Sequence, residues 1–202
     1  MSTAPPTCVH DDSFERMKPI DIQTDRLRIR QFHEQDIEDC LRFRAQVFNM
    51  QEPRQRAASW LRWTIDSYRE LAQLGQPPYA DYVVEARSNG HFIGSVGIVP
   101  TVIPWGALGG DPADNLLNPE VGLFWGIMPR YRRRGFASEA GMALLDYLFR
   151  DLHIARVVAT TEQDNIASQR TMERLGMTLR RNPLSEPPWC QVVGVIKQPR
   201  RD

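Results

Sequence analysis

The run Arg132-Arg133-Arg134-Gly135-Phe136-Ala137 is the part of this 202-residue chain whose residue types and spacing could do chemistry. It follows a β-rich run, residues 121–128, that Pro129 stops. It opens an amphipathic helix from Gly135 to Arg150, with Phe136, Ala140, Ala143, Leu144, Tyr147 and Leu148 as the apolar stripe. A helix N-terminus carries backbone N–H groups without intrahelical acceptors and the positive end of the helix dipole, so it attracts anions. Gly135 lacks a Cβ and lets a ligand approach the backbone. Three guanidiniums add charge at the same place. The chemistry implied is capture of a phosphate-bearing ligand. The run is not a Walker loop, because no Gly-Lys-Ser or Gly-Lys-Thr follows, and it is not G-x-G-x-x-G. The plain alternative is a solvated arginine-rich turn, and spacing alone leaves the two readings in balance.

The remaining elements must position that run. Residues 24–32 alternate, with Leu27 and Ile29 on one face and Arg26, Arg28 and Arg30 on the other, which predicts a half-buried strand. Next, Ile37, Cys40, Leu41, Ala45 and Phe48 share a helical face, with Glu34 and Asp36 near the start, where the dipole favours acid. After Pro53 a second helix presents Leu61, Ile65, Tyr68 and Ala72, and Gly75 with Pro77-Pro78 ends it. Two β-rich runs, 79–86 and 92–99, join through Ser88-Asn89-Gly90, a hairpin signal. Residues 100–118 show little periodicity and read as a long loop, of the kind that often carries binding elements. Residues 155–161 form a strand, Asn165 to Leu175 a short helix ended by Gly176, and 191–197 a last strand, with a further short strand near 177–181. The order β-α-α-β-β-β-α-β-α-β predicts an α/β chain, a mixed sheet with helices on both faces.

Composition narrows the function classes. Basic and acidic residues balance at 25 each, which argues against a bulk electrostatic grip on nucleic acid. Hydrophobic residues make up 42%, enough for one domain, expected over 19–200 behind a flexible extension at 1–18. No apolar run approaches the roughly 18–20 residues of a membrane span, and the first residues do not form a secretory signal. Three scattered cysteines and four scattered histidines give no disulfide framework and no metal-ligand spacing. The expectation is a cytoplasmic protein with no metal, no nucleic-acid partner and no membrane partner.

Arg132-x-x-Gly135-x-Ala137 resembles the (Gln/Arg)-x-x-Gly-x-(Gly/Ala) motif of the GNAT acetyltransferases. The longer string GFASEA at 135–140 is similar to the version in the subgroup of ribosomal-protein N-terminal acetyltransferases, the RimJ/RimL-like proteins. TDRLRIR at 24–30 resembles that subgroup's opening strand, and DNIASQRTMERLGM at 164–177 its Asn-x-x-Ser…Glu-x-x-Gly-Phe segment, with Met177 in place of Phe. The three matches lie in order and span 24–177.

The resemblance implies a mostly antiparallel central sheet with one splayed strand pair, and acetyl-CoA as cofactor, released as CoA. Backbone N–H groups from Arg132, Arg133, Arg134, Gly135, Phe136, Ala137 and Ser138 would hold its pyrophosphate. The strand edge at Gly126, Ile127 and Met128 would pair with the pantetheine arm, Ile127 supplying the N–H that polarises the thioester carbonyl. Asn165 would lie near the arm; it is also a natural helix N-cap. The implied reaction is direct transfer of acetyl to a primary amine. Glu120 is the implied base, offset by two residues, about 7 Å along a strand, from where relatives often carry a glutamate; a strand-end surface glutamate is the alternative. A family tyrosine that acts as acid falls at Met172, which cannot donate a proton, so Ser168 is left to contact the thiol, or simply to make a tight packing contact.

The acceptor would enter between the first two helices and the loops at 49–60, 100–118 and 182–190, with Trp105, Trp125 and Trp189 as candidate lining and Asp111, Asp114 and Glu186 giving modest attraction for a cation. A small amine and a peptide or protein N-terminus both fit, and a homodimer is left open. The competing reading is a non-catalytic acyl-CoA-binding or sensing module.

Overall fold

The computed structural model describes residues 20–108, 118–183 and 185–199. The extension expected at 1–18, and Asp111 and Asp114, lie outside the described residues. In chain order the elements are β1 (Asp21–Gln23), β2 (Leu27–Arg30), α1 (Ile37–Phe48), α2 (Arg54–Gln73), β3 (Ala80–Ala86), β4 (His91–Ile103), β5 (Asn118–Ile127), α3 (Phe136–Arg150), β6 (Arg156–Thr161), α4 (Ile166–Arg174), β7 (Thr178–Arg181) and β8 (Val192–Lys197). The sheet runs β1-β2-β3-β4-β5-β6-β8-β7. Every neighbouring pair is antiparallel except β5 and β6. This is the mixed, mostly antiparallel α/β sheet expected.

The alternation along each strand sorts side chains to two faces. One face, with Leu27, Ile29, Tyr82, Val84, Ile98 and Leu123, packs under Leu144, Leu145 and Leu148 of α3 and Met172 of α4. The other carries α1 and α2 over one half, where Phe43 and Leu61 meet Val83 and Phe92. Over the other half, Trp105, Leu108 and Cys190 cover Val158 and Val193. Two faces covered by different helices leave β5 as the strand on which both layers converge.

Three boundaries differ from the sequence pattern. The strand expected over 24–32 is only β2, Leu27–Arg30, because the chain turns at Thr24, whose N–H donates to Leu27 O at 2.9 Å, and β1 precedes that turn. The loop expected over 100–118 is shorter. β4 continues to Ile103 and β5 starts at Asn118, with Thr101 opposite Glu120 and Ile103 opposite Asn118. Pro100 and Pro119 break the sequence signal, yet a proline at the end of a ladder removes few hydrogen bonds. Finally, Arg30 does not face solvent with Arg28. Its guanidinium donates to Asp36 at 2.8 and 2.9 Å and to Glu85 at 2.6 Å. A paired guanidinium tolerates burial, and its pKa is raised because the two carboxylates outweigh the desolvation that opposes them.

Tyr68 on α2 donates its hydroxyl proton to Asp81 O and accepts from Phe32 N–H, pinning α2 to β3. The Asp81 side chain lies against Gly97, where a Cβ would sit 2.6 Å from its Oδ1. Burial pushes the Asp81 carboxyl up to about 6, with the Arg44 charge working against the rise. A carboxyl raised on folding binds more protons in the folded state between its unfolded value, about 3.9, and 6. Stability from that source is therefore present at low pH and lost as pH rises through that window. Asp81→Asn should raise Tm by roughly 5 °C at pH 8 and leave it unchanged at pH 3.5. Thermal melts at the two pH values check this; an equal or lower Tm at pH 8 would refute it.

Candidate active site

β5 and β6 pair only at Val121↔Val157 and Gly122↔Val158, then diverge. Beyond Gly122, β5 pairs among the described residues on its β4 side alone. Met128 N–H donates to Ile93 O at 2.9 Å, which fixes the parity of the β4–β5 ladder. In an antiparallel pair alternate residues turn both main-chain groups toward the partner. Gly126 and Phe124 therefore bond to β4 like Met128, while Ile127, Trp125 and Leu123 turn N–H and C=O to the open edge. Ile127 O is taken by Arg132 Nε at 2.9 Å. Of Gly126, Ile127 and Met128, only Ile127 presents its N–H to the gap between β5 and β6. Gly126 is glycine for a packing reason: a Cβ there would lie 2.8 Å from Phe43 and 3.1 Å from Val47 on α1.

The arginine run closes onto α3 directly beyond this edge. Pro129–Tyr131 forms one 3-10 turn, Arg133 takes φ 59° and Gly135, the N-cap of α3, φ 81°. Left-handed backbone at position 135 explains the glycine. The first main-chain bond of the helix is Glu139 N–H to Gly135 O at 3.0 Å, which leaves the N–H groups of Phe136, Ala137 and Ser138 facing out of the helix end. Buried Phe136 anchors the turn from beneath. The three arginines do not act alike. Arg132 holds Ile127 O, the Arg134 guanidinium stacks 5.2 Å from the Phe136 ring, and Arg133 has no partner among the described residues.

One contact was not legible in the sequence. Glu139 Oε1 accepts from Thr24 Oγ1 at 2.5 Å and from Arg26 N–H at 3.1 Å, and its Oε2 accepts from Arg26 Nε at 2.7 Å. Arg26 also donates to Arg134 O at 3.1 Å and lies 4.7 Å over the Phe136 ring. The TDRL and GFASEA segments are thus one cluster. Burial works against the Glu139 charge, yet the hydrogen bonds from Thr24 and Arg26 hold its pKa below the usual carboxylate range. The signal available was a threonine, an arginine and a glutamate on elements 113 to 115 residues apart, which periodicity cannot connect.

On the far side of the gap, Asn165 Oδ1 accepts from Ser168 N–H at 3.1 Å, so Asn165 caps α4. Ser168 is half-buried one turn on. Met172 is fully buried, its sulfur 3.0 Å from where a Cβ on Gly194 would be; it is core packing.

Glu120 does not stand free. Its Oε1 accepts from Trp105 Nε1 at 2.8 Å and from an Arg156 terminal nitrogen, its Oε2 from Arg156 Nε at 2.9 Å, and the side chain is 4% exposed. It lies seven residues before Ile127, about 24 Å along the strand. A carboxylate with both oxygens committed to a guanidinium and an indole is poorly placed to accept an amine proton, and its surroundings support a structural role. The tryptophans also separate. Trp125 packs on the α3 face, Trp105 on the opposite one, and Trp189 is exposed beside Cys190.

The motif loop fits a pyrophosphate: outward N–H groups, a glycine at φ 81°, and in Arg133 a cation without a partner among the described residues. No group of three or more His, Cys, Asp or Glu able to hold a metal occurs among the described residues.

Comparison with known proteins agrees with the fold. The model of the acetyltransferase (GNAT) domain matches residues 26–178. An uncharacterized N-acetyltransferase of Bacillus subtilis, YnaD, is 41% identical over 58 residues, 29% of this chain and 33% of YnaD, so the match spans about a third of that relative. Another from the same organism, YjdG, is 25% identical over 130 residues, 63% of this chain and 70% of YjdG. The structure of an acetyltransferase from Agrobacterium tumefaciens superposes with a TM-score of 0.66 at 20% identity, covering 90% of this chain and 96% of that one. Mycobacterium smegmatis RimJ, in complex with CoA-disulfide, superposes at 0.59 and 17% identity over 85% of this chain and 81% of its own.

Glu120→Gln tests the carboxylate's task. Losing the charge opposite Arg156 should cost about 1–3 kcal/mol of stability, read from chemical denaturation. Acetyl transfer by the folded variant should stay within about threefold, whereas loss of a general base costs 10²–10⁴-fold. A drop of that size in well-folded variant would restore the catalytic assignment.

Proposed function

The chain belongs to the GNAT acetyltransferase family, and we propose that it moves acetyl from acetyl-CoA directly to a primary amine. The observation that carries this reading is the juxtaposition of an unpaired β5 edge with a glycine-capped helix end, one suited to an extended amide-bearing arm and the other to its pyrophosphate. Structures of the same fold hold CoA-disulfide in RimJ and acetyl-CoA in MccE.

When bound, acetyl-CoA supplies acetyl activated as a thioester. The N–H groups of Phe136, Ala137 and Ser138, with Arg133, hold the pyrophosphate, and the remaining motif positions Arg132, Arg134 and Gly135 shape the loop. Ile127 N–H, at the open edge, donates to the carbonyl oxygen as negative charge develops there. Asn165 caps α4 and sets Ser168, whose hydroxyl donates to sulfur. The amine would add to the carbonyl carbon and the C–S bond would break as the carbonyl re-forms; the amine proton would leave through water, since Glu120 is occupied, and the thiolate would be neutralised from the same solvent. An α-amine, with a pKa near 8, needs only a modest base at neutral pH.

The acceptor we favour is a small or peptide-like amine, met on the sheet face that carries α1 and Trp105. A cytoplasmic setting belongs to the same proposal; no helix of the described residues is long and apolar enough to cross a membrane. A non-catalytic acyl-CoA-binding role has one observation in its favour: neither Glu120 nor Met172 offers a titratable group at the open edge. Release of free thiol from acetyl-CoA on adding amines separates the two.

The first test is calorimetric titration with acetyl-CoA of the unaltered protein and of Gly135→Trp. At φ 81° any L side chain is strained, and a Cβ there already meets Arg26 at 3.4 Å. Micromolar binding by the first and a loss of at least about 100-fold, roughly 2.7 kcal/mol, in the second is expected. No binding by the unaltered protein would overturn the proposal.

A further inference from the structure

The cluster joining the start of β2 to the first turn of α3 has geometry that packing alone does not call for. The Arg26 guanidinium makes four contacts at one place. Its Nε reaches Glu139 Oε2 at 2.7 Å, a second nitrogen reaches the same carboxylate at 2.5 Å, its NH1 donates to Arg134 O at 3.1 Å, and its plane covers Phe136 at 4.7 Å. The cluster lies at the surface: the Arg26 side chain is 51% exposed, which is more than its burial would demand if filling space were its task. What it fixes is a single peptide plane. In a trans peptide the C=O of one residue and the N–H of the next point in opposite directions. Holding Arg134 O on the Arg26 side turns Gly135 N–H to the other side, where the outward N–H groups of Phe136, Ala137 and Ser138 begin. Gly135 is also the residue least able to hold that plane unaided, since it lacks a Cβ and explores more backbone conformations than any other.

We infer that Arg26 is a positioning residue for the phosphate-binding loop: anchored by Glu139 and Thr24, it fixes the 134–135 peptide so that Gly135 N–H joins the anion-binding set before any ligand arrives. This rests on the acetyl-CoA reading above and adds to it a residue 108 positions away from the carbonyl it holds. Arg26 need not touch the ligand. Its effect passes through a carbonyl on the loop's protein side, and preorganisation of this kind appears as affinity for the group the loop grips. Glu139 is more than a helix-favouring acid in a first turn; its two oxygens set the orientation of the guanidinium fork, which a lysine ammonium cannot reproduce.

The experiment compares two donors, acetyl-CoA and S-acetylpantetheine, which keeps the thioester and arm but lacks the pyrophosphate and nucleotide. Affinities are measured calorimetrically for the unaltered protein, Arg26→Gln and Arg26→Lys, with circular dichroism melts alongside. Arg26→Gln is expected to weaken acetyl-CoA about tenfold, the loss of one charge-assisted hydrogen bond, and to leave S-acetylpantetheine within about twofold. Arg26→Lys should behave like the glutamine variant, because it keeps the charge but not the fork. If Arg26→Gln fails to fold, the lysine variant is read against the same outcomes. Equal weakening toward both donors, or no weakening toward acetyl-CoA, would overturn the inference while leaving the acetyl-CoA reading in place. No acetyl-CoA binding by the unaltered protein would overturn both.

Discussion

The structure turns on one strand that is not allowed to finish its sheet. β5 pairs along its whole length with β4 but with β6 at two positions only. Backbone N–H and C=O groups are strong donors and acceptors, and leaving them unpaired is unfavourable unless something else satisfies them. The divergence has a packing origin. β6 is bound along its other edge to β8 and covered by Trp105, Leu108 and Cys190, while β5 beyond Gly122 follows α1, whose Phe43 and Val47 close onto Gly126. Each strand is held by a different layer, and the edge between them opens. The loop that follows β5 inherits its position from that opening.

Two arginines from distant parts of the chain then do the same job at the two ends of this loop. Arg132 holds Ile127 O, the last carbonyl of β5, and Arg26 holds Arg134 O, the carbonyl before the helix cap. Carbonyl oxygens near an anion site repel the ligand; pinning them to guanidiniums offsets the oxygens' partial charge, and at Arg134 O it also turns Gly135 N–H away from Arg26, whereas the N–H paired with Ile127 O, that of Met128, stays bonded to β4. The triplet of arginines, read as a uniform patch of charge, is differentiated by the fold. One secures the strand end, one stacks on Phe136, and Arg133 alone remains without a partner among the described residues.

Which features were legible follows from the range over which each is encoded. The helices α1 to α4 and the hairpin of β3 and β4 came from periodicity and the Asn-Gly turn, both of which act over a few residues. The motif loop came from its local grammar of strand, arginines, glycine and helix. The extra length of β4 and β5 was hidden because Pro100, Pro119 and nearby glycines mimic a loop, although the pairing partner across the ladder overrides that preference. The burial of Arg30 was hidden for a similar reason: alternation assigns it to the polar face, but Asp36 and Glu85 arrive from other elements to neutralise it. The link from Glu139 to Thr24 and Arg26 was beyond reach altogether, since nothing local distinguishes a first-turn glutamate that caps its own helix from one that grips another strand.

Glu120 shows the limit of carrying a role by strand position. Two residues along β5 keep the same face, so the carboxylate does point to the face shared with Trp105. What position along the strand could not convey is the depth at which it sits: at the paired end of β5 and β6, where the sheet is closed and Arg156 stands on the neighbouring strand to meet it. A carboxylate there gains a guanidinium and an indole N–H and loses access to solvent. At the open end of the gap the chain offers main-chain groups and a serine hydroxyl instead. In the reaction we propose, proton transfer relies on solvent and the fold contributes orientation: a fixed N–H for the thioester carbonyl and a fixed set of them for the pyrophosphate.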